Sequence, residues 1–330
     1  MRAHYTLRQL RYFTATVEHH GVAQAARNLN ISQPAISVAI KNIEDAFDVQ
    51  LFLRNHPGGV SLTQAGKRFY QHALDLLRSS REFEHLVLSE RDTIVGNIEV
   101  GCFVTVAPLY MPGLVAGFQT QFPQINVNIV DSFQPGLVSG LVAGRLDLAM
   151  MYEAGLDKQF ERVPLLPDLM PHALLPRTHQ LANRASVSLR ELADEPLILL
   201  DIPPSNDYFL GLFKELGLTP NVTHRSASLG MVRGLVGRQL GYSVSITQPA
   251  TIRTCDGNEL ITVAISDPLP HSTLVMAWPA QAKLMPQTMM FLDFCQKTIG
   301  NVTSEGDIRK GAKFVEPRSA LGKGRTTKAI

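Results

Sequence analysis

Apolar residues recur with a helical period near the start of the chain. Leu10, Phe13 and Val17 fall on one face of a helix. After Gly21 a second short helix is predicted, because apolar residues again recur at i, i+3, i+4 and i+7. These residues are Val22, Ala25, Ala26 and Leu29.

A third helix is predicted to begin in the segment Ser32-Gln33-Pro34-Ala35-Ile36-Ser37. Ser32 is a favourable N-cap residue, and Pro34 lies in the first turn, where its missing N–H costs no hydrogen bond. Four apolar residues form the stripe expected to be buried: Ile36, Ile40, Ile43 and Phe47. A separate polar face carries Gln33, Ser37 and Lys41 at every fourth position.

This polar face has the chemistry needed in the major groove of DNA. A glutamine amide pairs bidentately with adenine, a serine donates or accepts a hydrogen bond, and a lysine reaches guanine or phosphate. The same residue types are ordinary on the surface of a helical bundle with no DNA role. The spacing alone therefore leaves both interpretations open.

A hairpin and a long helix are predicted next. Short alternating runs at 51–54 and 60–62 flank Pro57-Gly58-Gly59, which predicts a wing that places Arg54 near a phosphate. Thr63 is expected to cap a helix that continues to about residue 89. Apolar residues four and three apart along it favour pairing with a second copy over packing on its own domain. The expected contacts are Phe69, Ala73, Leu76, Phe83 and Val87.

The rest of the chain alternates between strand and helix patterns. Strands at 98–102 and 125–129 enclose a helix near 109–118, and the run at 146–150 extends a parallel sheet. The pattern then restarts, which predicts a second α/β lobe. Strands are expected near 173–175, 197–200, 222–225, 242–246 and 274–277, with a last helix to about 299.

Ligands of open α/β sheets bind beyond the carboxyl ends of strands, where helix N-termini offer free N–H groups. Thr105 in the first lobe and Ser205 in the second are each predicted to follow a strand, open a helix and hold an anionic group. A small carboxylate with an apolar body fits such a cleft best. Ser and Thr also cap helices with no ligand present. The candidate effector-binding residues are Phe103, Val104, Thr105, Phe133, Pro204, Ser205, Asn206 and Ser228.

Composition narrows the class of protein. A chain of 330 residues with 45% hydrophobic residues is expected to form two or three folded units, while a net charge of +2 decides nothing about nucleic acid. No apolar run is long enough to span a bilayer, and no signal peptide is recognisable. Three widely spaced cysteines, Cys102, Cys255 and Cys295, indicate neither disulfides nor a zinc site and favour the cytoplasm.

No pattern for catalysis is recognisable. His172, His179 and His271 have no metal-ligand spacing, and neither a nucleophile elbow nor a phosphate-cradling loop is present. No cofactor and no metal are expected. Cys102, beside the cleft, is an alternative candidate for an oxidation sensor, although an isolated cysteine in a strand is more often a small buried hydrophobe.

Taken together, the N-terminal motifs resemble those of the LysR-type transcriptional regulators. The resemblance rests on Leu10 to Phe13, Ala25-Ala26-Arg27 to Leu29, Ser32 to Ser37, Ile43-Glu44, Leu51-Phe52 with Arg54, and Leu62-Thr63 to Ala65-Gly66.

That resemblance implies an α+β multidomain protein with a winged helix-turn-helix, a linker helix that pairs two subunits, and two α/β lobes resembling a type 2 periplasmic binding protein. The implied domains are 1–62 for DNA binding, 63–92 for the dimerisation helix and 93–300 for effector binding. A disordered basic tail is expected at 301–330. DNA contacts are expected from Ser32, Gln33, Pro34, Ala35, Ser37, Lys41 and Arg54.

Three positions depart from the family pattern. Gly21 stands at the N-cap of the second helix, and Asp48 stands where a glycine commonly ends the third. The wing at 54–59 is longer than usual and lacks a second arginine, which weakens its expected phosphate contacts.

The sequence thus predicts a regulator that binds double-stranded promoter or operator DNA as a homodimer or homotetramer and responds to a small organic acid. The alternatives are an oxidation sensor of the same architecture that uses Cys102, and an enzyme with an appended DNA-binding domain.

Overall fold

The computed structural model describes residues 5–53, 60–89, 94–247 and 251–304. These residues form two compact units. One comprises the chain up to residue 96 together with 139–147, and the other comprises 97–138 and the chain from 148 onwards. Every helix in the described ranges is too short or too polar to cross a membrane.

Three short helices open the first unit: α1 (Leu7–Glu18), α2 (Val22–Asn28) and α3 (Gln33–Phe47). Thr6 and Gln9 form a capping box at the start of α1. Gly21 is the N-cap of α2, where it offers no side-chain hydrogen bond. Asp48 ends α3 with φ 50°, in the left-handed conformation expected at this position.

The predicted apolar stripes of α1, α2 and α3 meet in one core. Phe13, Ile36 and Ile43 are fully buried there. Phe47 was predicted to be buried with them, but 44% of its surface is exposed. It lies in the last turn of α3 and packs by its ring against Tyr5 and Phe69.

A two-stranded wing follows, consisting of β1 (Phe52–Leu53) and β2 (Ser61–Leu62). The strands are antiparallel, with Phe52 opposite Leu62. The predicted phosphate contact Arg54 lies outside the described residues, as does the rest of the segment 54–59.

The long helix α4 (Gln64–Ser89) begins where the sequence predicts. The Thr63 hydroxyl accepts a hydrogen bond from the Gly66 N–H at 2.9 Å, and the Thr63 N–H donates to the Leu51 carbonyl oxygen at 2.9 Å. A Cβ atom at Gly66 would collide with that same carbonyl oxygen, so only glycine fits this close approach.

The second unit contains two lobes. The first lobe is a five-stranded sheet in the order β4-β3-β5-β13-β6, accompanied by three helices. Its strands are β3 (Gly96–Phe103), β4 (Ile125–Ser132), β5 (Leu148–Tyr152), β6 (Phe160–Leu169) and β13 (Ser272–Pro279). Its helices are α5 (Ala107–Gln121), α6 (Gln134–Val142) and α10 (Pro286–Ser304), and residues 139–142 of α6 belong to the first unit.

The second lobe lies between β6 and β13 in the chain. It has a four-stranded sheet in the order β11-β7-β12-β8 and a parallel pair, β9 and β10. Its strands are β7 (His172–Pro176), β8 (Ser186–Val187), β9 (Pro196–Leu200), β10 (Asn221–Ser226), β11 (Ser243–Ser245) and β12 (Leu260–Ile265), and its helices are α7 (Leu189–Leu192), α8 (Ser205–Glu215) and α9 (Leu229–Gly237).

The return of the chain to the first lobe confirms the predicted fold class. Strand β13 pairs antiparallel with both β5 and β6, so the first lobe is built from both ends of the effector segment. The sheet is therefore mixed rather than purely parallel. β3 and β5 pair in parallel, as expected from the predicted extension of the parallel sheet by the run at 146–150.

Three strands carry no assignment in the sequence analysis, and one of them, β8, has only two residues. Strand β6 contains Pro164 and Pro167, which weaken a strand pattern, but it lies at the edge of its sheet, where proline is tolerated. Strand β12 is short and lies between β7 and β8, and its pairing partners are about 80 residues away in the chain.

Candidate functional site

The exposed face of α3 carries every described residue that the sequence assigned to DNA. Gln33, Ser37 and Lys41 are exposed along it, whereas Ile36 and Ile40 on the other side are buried. At its start, the Ser32 hydroxyl accepts a hydrogen bond from the Ala35 N–H at 3.4 Å. Ser32, Pro34 and Ala35 are also exposed.

The turn between α2 and α3 adds a basic residue that the sequence analysis did not assign. An open hollow of about 550 Å³ extends over this turn, and Arg27, Asn30 and Gln33 line it. The Arg27 guanidinium donates to the side-chain oxygen of Gln24, on the same helix, at 2.5 Å. Its place in the last turn of α2, five residues before Ser32, was the signal available in the sequence.

The carboxylate of Glu44 fixes the chain between α3 and the wing. Its Oε1 accepts the backbone N–H of Leu51 at 2.7 Å and that of Phe52 at 3.3 Å. Thr63 closes the other side by donating its hydroxyl to the Gln50 carbonyl oxygen at 2.7 Å. The base of the wing is therefore tied to α3 by side-chain hydrogen bonds.

The proposed pairing residues of α4 divide into two groups. Phe69 packs edge-on against Phe13 with centroids 5.2 Å apart, and Ala73 is buried in the same core. Leu76 and Phe83 are instead exposed, by 37% and 67%. The side chain of Val87 lies outside the described residues.

A cavity of about 410 Å³ lies in the second unit, beside the N-termini of α5 and α9. Its lining is mostly apolar, and the polar side chains in it are hydroxyls, two guanidinium groups and one thiol. The lining residues are Val104, Thr105, Pro108, Leu109, Phe133, Ala227, Ser228, Leu229, Gly230, Arg233, Thr251, Arg253 and Cys255.

Four of the eight candidate effector-binding residues line this cavity: Val104, Thr105, Phe133 and Ser228. Phe103 is fully buried and packs on Tyr152 with centroids 5.3 Å apart. Pro204, Ser205 and Asn206 stand at the N-terminus of α8 and do not line it.

The hydroxyls at the two helix ends already have partners. Ser228 caps α9 by accepting the Met231 N–H at 3.3 Å. Thr105 is hydrogen-bonded to the Tyr152 hydroxyl, and burial raises the pKa of that tyrosine. Both arrangements fix the hydroxyl oxygens at the edge of the cavity.

The two arginines of the cavity differ in their partners. Arg253 approaches the Glu259 carboxylate, with Nη2 and Oε1 3.5 Å apart. Arg233 donates from Nη2 to the carbonyl oxygens of Thr251 at 2.9 Å and Arg253 at 3.1 Å. No carboxylate pairs with Arg233 in the described part of the chain. Burial lowers the pKa of Arg233, and the nearby Cys255 opposes that shift.

The three thiols have different environments. Cys102 and Cys295 are buried, and burial raises the pKa of both. Cys255 is exposed at the cavity. The described residues hold no cluster of side chains suited to a metal ion.

Comparison with known proteins identifies both parts of the chain. Residues 7–67 match the family model "Bacterial regulatory helix-turn-helix protein, lysR family", and residues 91–300 match "LysR substrate binding domain". This chain belongs to the LysR family. Its two domains are those of a DNA-binding transcriptional regulator and not of an enzyme.

Relatives of this LysR-type regulator align over most of its length. The transcriptional regulator YnfL of Escherichia coli (strain K12) is 29% identical over 294 residues, covering 86% of this chain and 96% of YnfL. The hydrogen peroxide-inducible genes activator of Pectobacterium carotovorum subsp. carotovorum is 28% identical, covering 72% of this chain and 78% of that protein.

A solved structure is more similar in sequence. The crystal structure of a putative LysR family transcriptional regulator from Pseudomonas aeruginosa, the PA01 protein, is 49% identical with a TM-score of 0.62. The alignment covers 90% of this chain and 100% of the chain in that structure.

Proposed function

We propose that this LysR-type regulator binds a small organic carboxylate in the cavity beside Thr105 and Ser228, and that the bound acid changes how a homodimer or homotetramer holds promoter DNA. The observation that carries the proposal is the charge of the cavity. Two arginines line it, and no acidic side chain is among its described lining residues.

The helix termini add to the attraction for an anion. The N-termini of α5 and α9 carry a partial positive charge, and both helices begin at the cavity. The apolar lining, which includes Pro108, Leu109 and Phe133, suits the body of a small organic acid. An amine would meet the two guanidinium groups with no carboxylate to balance its charge.

For DNA we propose that α3 enters the major groove with Gln33, Ser37 and Lys41 facing the bases. The exposure of all three on one helical face supports this placement. We also propose that Arg27, beside the N-terminus of α3, contacts a phosphate. Leu76 and Phe83 remain exposed on α4 and are proposed to meet a second subunit.

Oxidation sensing through Cys102 is the less favoured alternative, even though several relatives are named as activators of hydrogen peroxide-inducible genes. The thiolate, and not the thiol, is the nucleophile that attacks peroxide. Cys102 is fully buried, and burial raises its pKa, so the thiol stays protonated and shielded from solvent. These features match a small core residue.

A thermal-shift screen of matched acids and amides tests the proposed effector class. Each carboxylate is paired with its carboxamide, so that the two members share a shape and differ in charge. A ligand at 100 times its dissociation constant adds about 2.7 kcal/mol to the free energy of unfolding. We expect stabilisation by several carboxylates and little by their amides. Amides that stabilise equally well would refute the anionic class.

An operator sequence is first obtained by selecting, from random DNA duplexes, those that the protein binds. The selected operator is then used to test whether the acid changes DNA binding. We expect a two-fold symmetric site whose protection pattern changes when the stabilising acid is added. A non-symmetric preference, or an unchanged pattern with saturating acid, would contradict the proposed function.

A further inference from the structure

The two arginines of the cavity are not equivalent. A guanidinium has five N–H donors. In Arg233 both N–H groups of Nη2 are used by the carbonyl oxygens of Thr251 and Arg253, whereas no partner of Nε or Nη1 is found in the described part of the chain. Arg253, by contrast, already has the Glu259 carboxylate nearby.

The two carbonyl contacts also hold Arg233 in place. The residue lies in the second turn of α9, and the chain segment 251–253 crosses it from another part of the lobe. A guanidinium held in this way loses little side-chain entropy when it binds a ligand. Its charge is half-buried and uncompensated, which leaves a favourable position for a carboxylate.

We propose that Arg233 is the residue that recognises the carboxylate of the effector, and that the charge of Arg253 is balanced in part by Glu259, a carboxylate that Arg253 shares with Arg177. The inference rests on the proposed effector cavity and names its specificity-determining residue. Because the same guanidinium binds the carbonyl oxygens of residues 251 and 253, a carboxylate held by Arg233 is also coupled to this segment of the second lobe.

Cys255 offers a direct test, because it is an exposed thiol that lines the same cavity. Iodoacetate and iodoacetamide both alkylate thiolates: the sulfur attacks the methylene carbon, the carbon–iodine bond breaks, iodide leaves, and the thiol proton passes to the buffer. The two reagents differ in charge. The rate with iodoacetate divided by the rate with iodoacetamide does not depend on the thiolate population, because both reagents react with the same thiolate. Dividing this ratio at Cys255 by the same ratio for N-acetylcysteine therefore measures the attraction of the cavity for a carboxylate.

In the wild-type protein we expect this normalised ratio to be raised about fivefold or more at low ionic strength, because a positively charged cleft concentrates anions. It should fall towards one as sodium chloride is added. Arg233→Met should bring the ratio within about twofold of one. Arg233→Lys should keep part of the increase, because lysine retains the positive charge but lacks the paired N–H donors of the guanidinium.

Arg238→Met is the matched control. Arg238 pairs with Asp256, the neighbour of Cys255, but it does not line the cavity. Its removal leaves Asp256 without this cation and should therefore lower the ratio less than Arg233→Met does. Peptide mass spectrometry confirms that alkylation occurs at Cys255 and not at the buried Cys102 or Cys295.

The outcomes separate the two proposals. A wild-type ratio near one, or an equal loss in Arg233→Met and Arg238→Met, would overturn the role of Arg233 even if carboxylates stabilise the protein in the screen. If Arg233→Met does not fold, Arg233→Lys takes its place, and a ratio equal to that of the wild type in this variant would overturn the role of the Arg233 guanidinium. If iodoacetamide fails to label Cys255 at all, the cavity is closed and the proposed effector site itself is refuted.

Discussion

The Oε1 atom of Glu44 accepts the backbone N–H of Leu51 at 2.7 Å, joining the third helix to the chain that enters the wing. This carboxylate replaces water for two N–H groups at once, those of Leu51 and Phe52. Hydrogen bonds to a charged group contribute about 1.5–3 kcal/mol each. Together with Thr63, this side chain therefore helps to set the orientation of the wing relative to α3.

We predict that Glu44→Ala speeds amide hydrogen exchange at Leu51 and weakens operator binding, because the base of the wing loses its attachment. Glu44→Gln should have a smaller effect, since an amide oxygen still accepts hydrogen bonds. Asp45→Ala, a change at the exposed neighbouring position, serves as control. Equal exchange rates at Leu51 in Glu44→Ala and the wild type would show that the contact is not formed in solution.

Gln33 is predicted to read a base. Gln33→Ala should remove about 1–3 kcal/mol of discrimination at one operator position, because a bidentate amide–adenine pair is lost. The measurement compares affinities for single-base operator variants. Asn42→Ala, an exposed change on a different side of α3, should leave all of them as in the wild type. Retention of the wild-type preference by Gln33→Ala would place base recognition elsewhere.

The exposed apolar side chains of α4 are predicted to hold two subunits together. Leu76→Glu combined with Phe83→Glu should give a monomer, because like charges would replace apolar contacts at the seam. Sedimentation velocity of the full chain measures this. Gln64→Glu with Gln71→Glu adds the same charge on another side of the helix and should leave the assembly intact. If the first pair of changes leaves a dimer, another surface joins the subunits.

Thr105 and Ser205 separate the sequence prediction from the observed cavity. Thr105 lines the cavity, whereas Ser205 does not and is buried at the start of α8. With a carboxylate from the screen, Thr105→Ala should weaken binding by about 1.5–3 kcal/mol, roughly 10- to 100-fold. Tyr152→Phe removes the hydrogen-bond partner of Thr105 but leaves the Thr105 hydroxyl in place, so the affinity should change less than in Thr105→Ala.

Calorimetry with the same carboxylate on Ser205→Ala completes the comparison. The position of Ser205 outside the cavity leads us to expect an affinity close to that of the wild type. A loss equal to that of Thr105→Ala would support the original pairing of the two residues across the lobes. It would then argue against this cavity as the whole binding site.

His172 is predicted to make stability depend on pH. The side chain is buried in β7, and burial lowers its pKa from 6.5 to about 4, although hydrogen bonds with the backbone of Met170 and Thr247 oppose the shift. Below pH 6.5 the unfolded chain therefore takes up a proton that the folded chain does not. The contribution of His172 to the free energy of unfolding should fall by up to about 3 kcal/mol between pH 6.5 and 4 and change no further below that.

Urea unfolding at a series of pH values measures this dependence. His172→Gln removes the titrating group and should flatten the slope in that window, while His224→Gln, at an exposed position, should keep it. Identical slopes in the wild type and His172→Gln would mean that His172 is not buried in solution.

Local patterns determined the elements that the DNA-binding unit needs. The period of Ile36, Ile40 and Ile43 indicated which face of α3 is buried, and Ser32 with Pro34 indicated where the helix begins. Thr63 marked the start of α4 in the same way. Helix periodicity and capping involve residues within about four positions of one another, so a single sequence contains the whole signal.

The tertiary structure decided which residues share a site. Phe69 and Ala73 have the same spacing as Leu76, yet they face the core of their own domain, because their surroundings come from α1 and α3. Arg233 and Cys255 carry no local motif, and they meet Thr105 only because β13 returns the chain to the first lobe and the second lobe folds beside it. Contacts between residues more than 100 positions apart depend on the packing of whole elements, which neither spacing nor capping encodes.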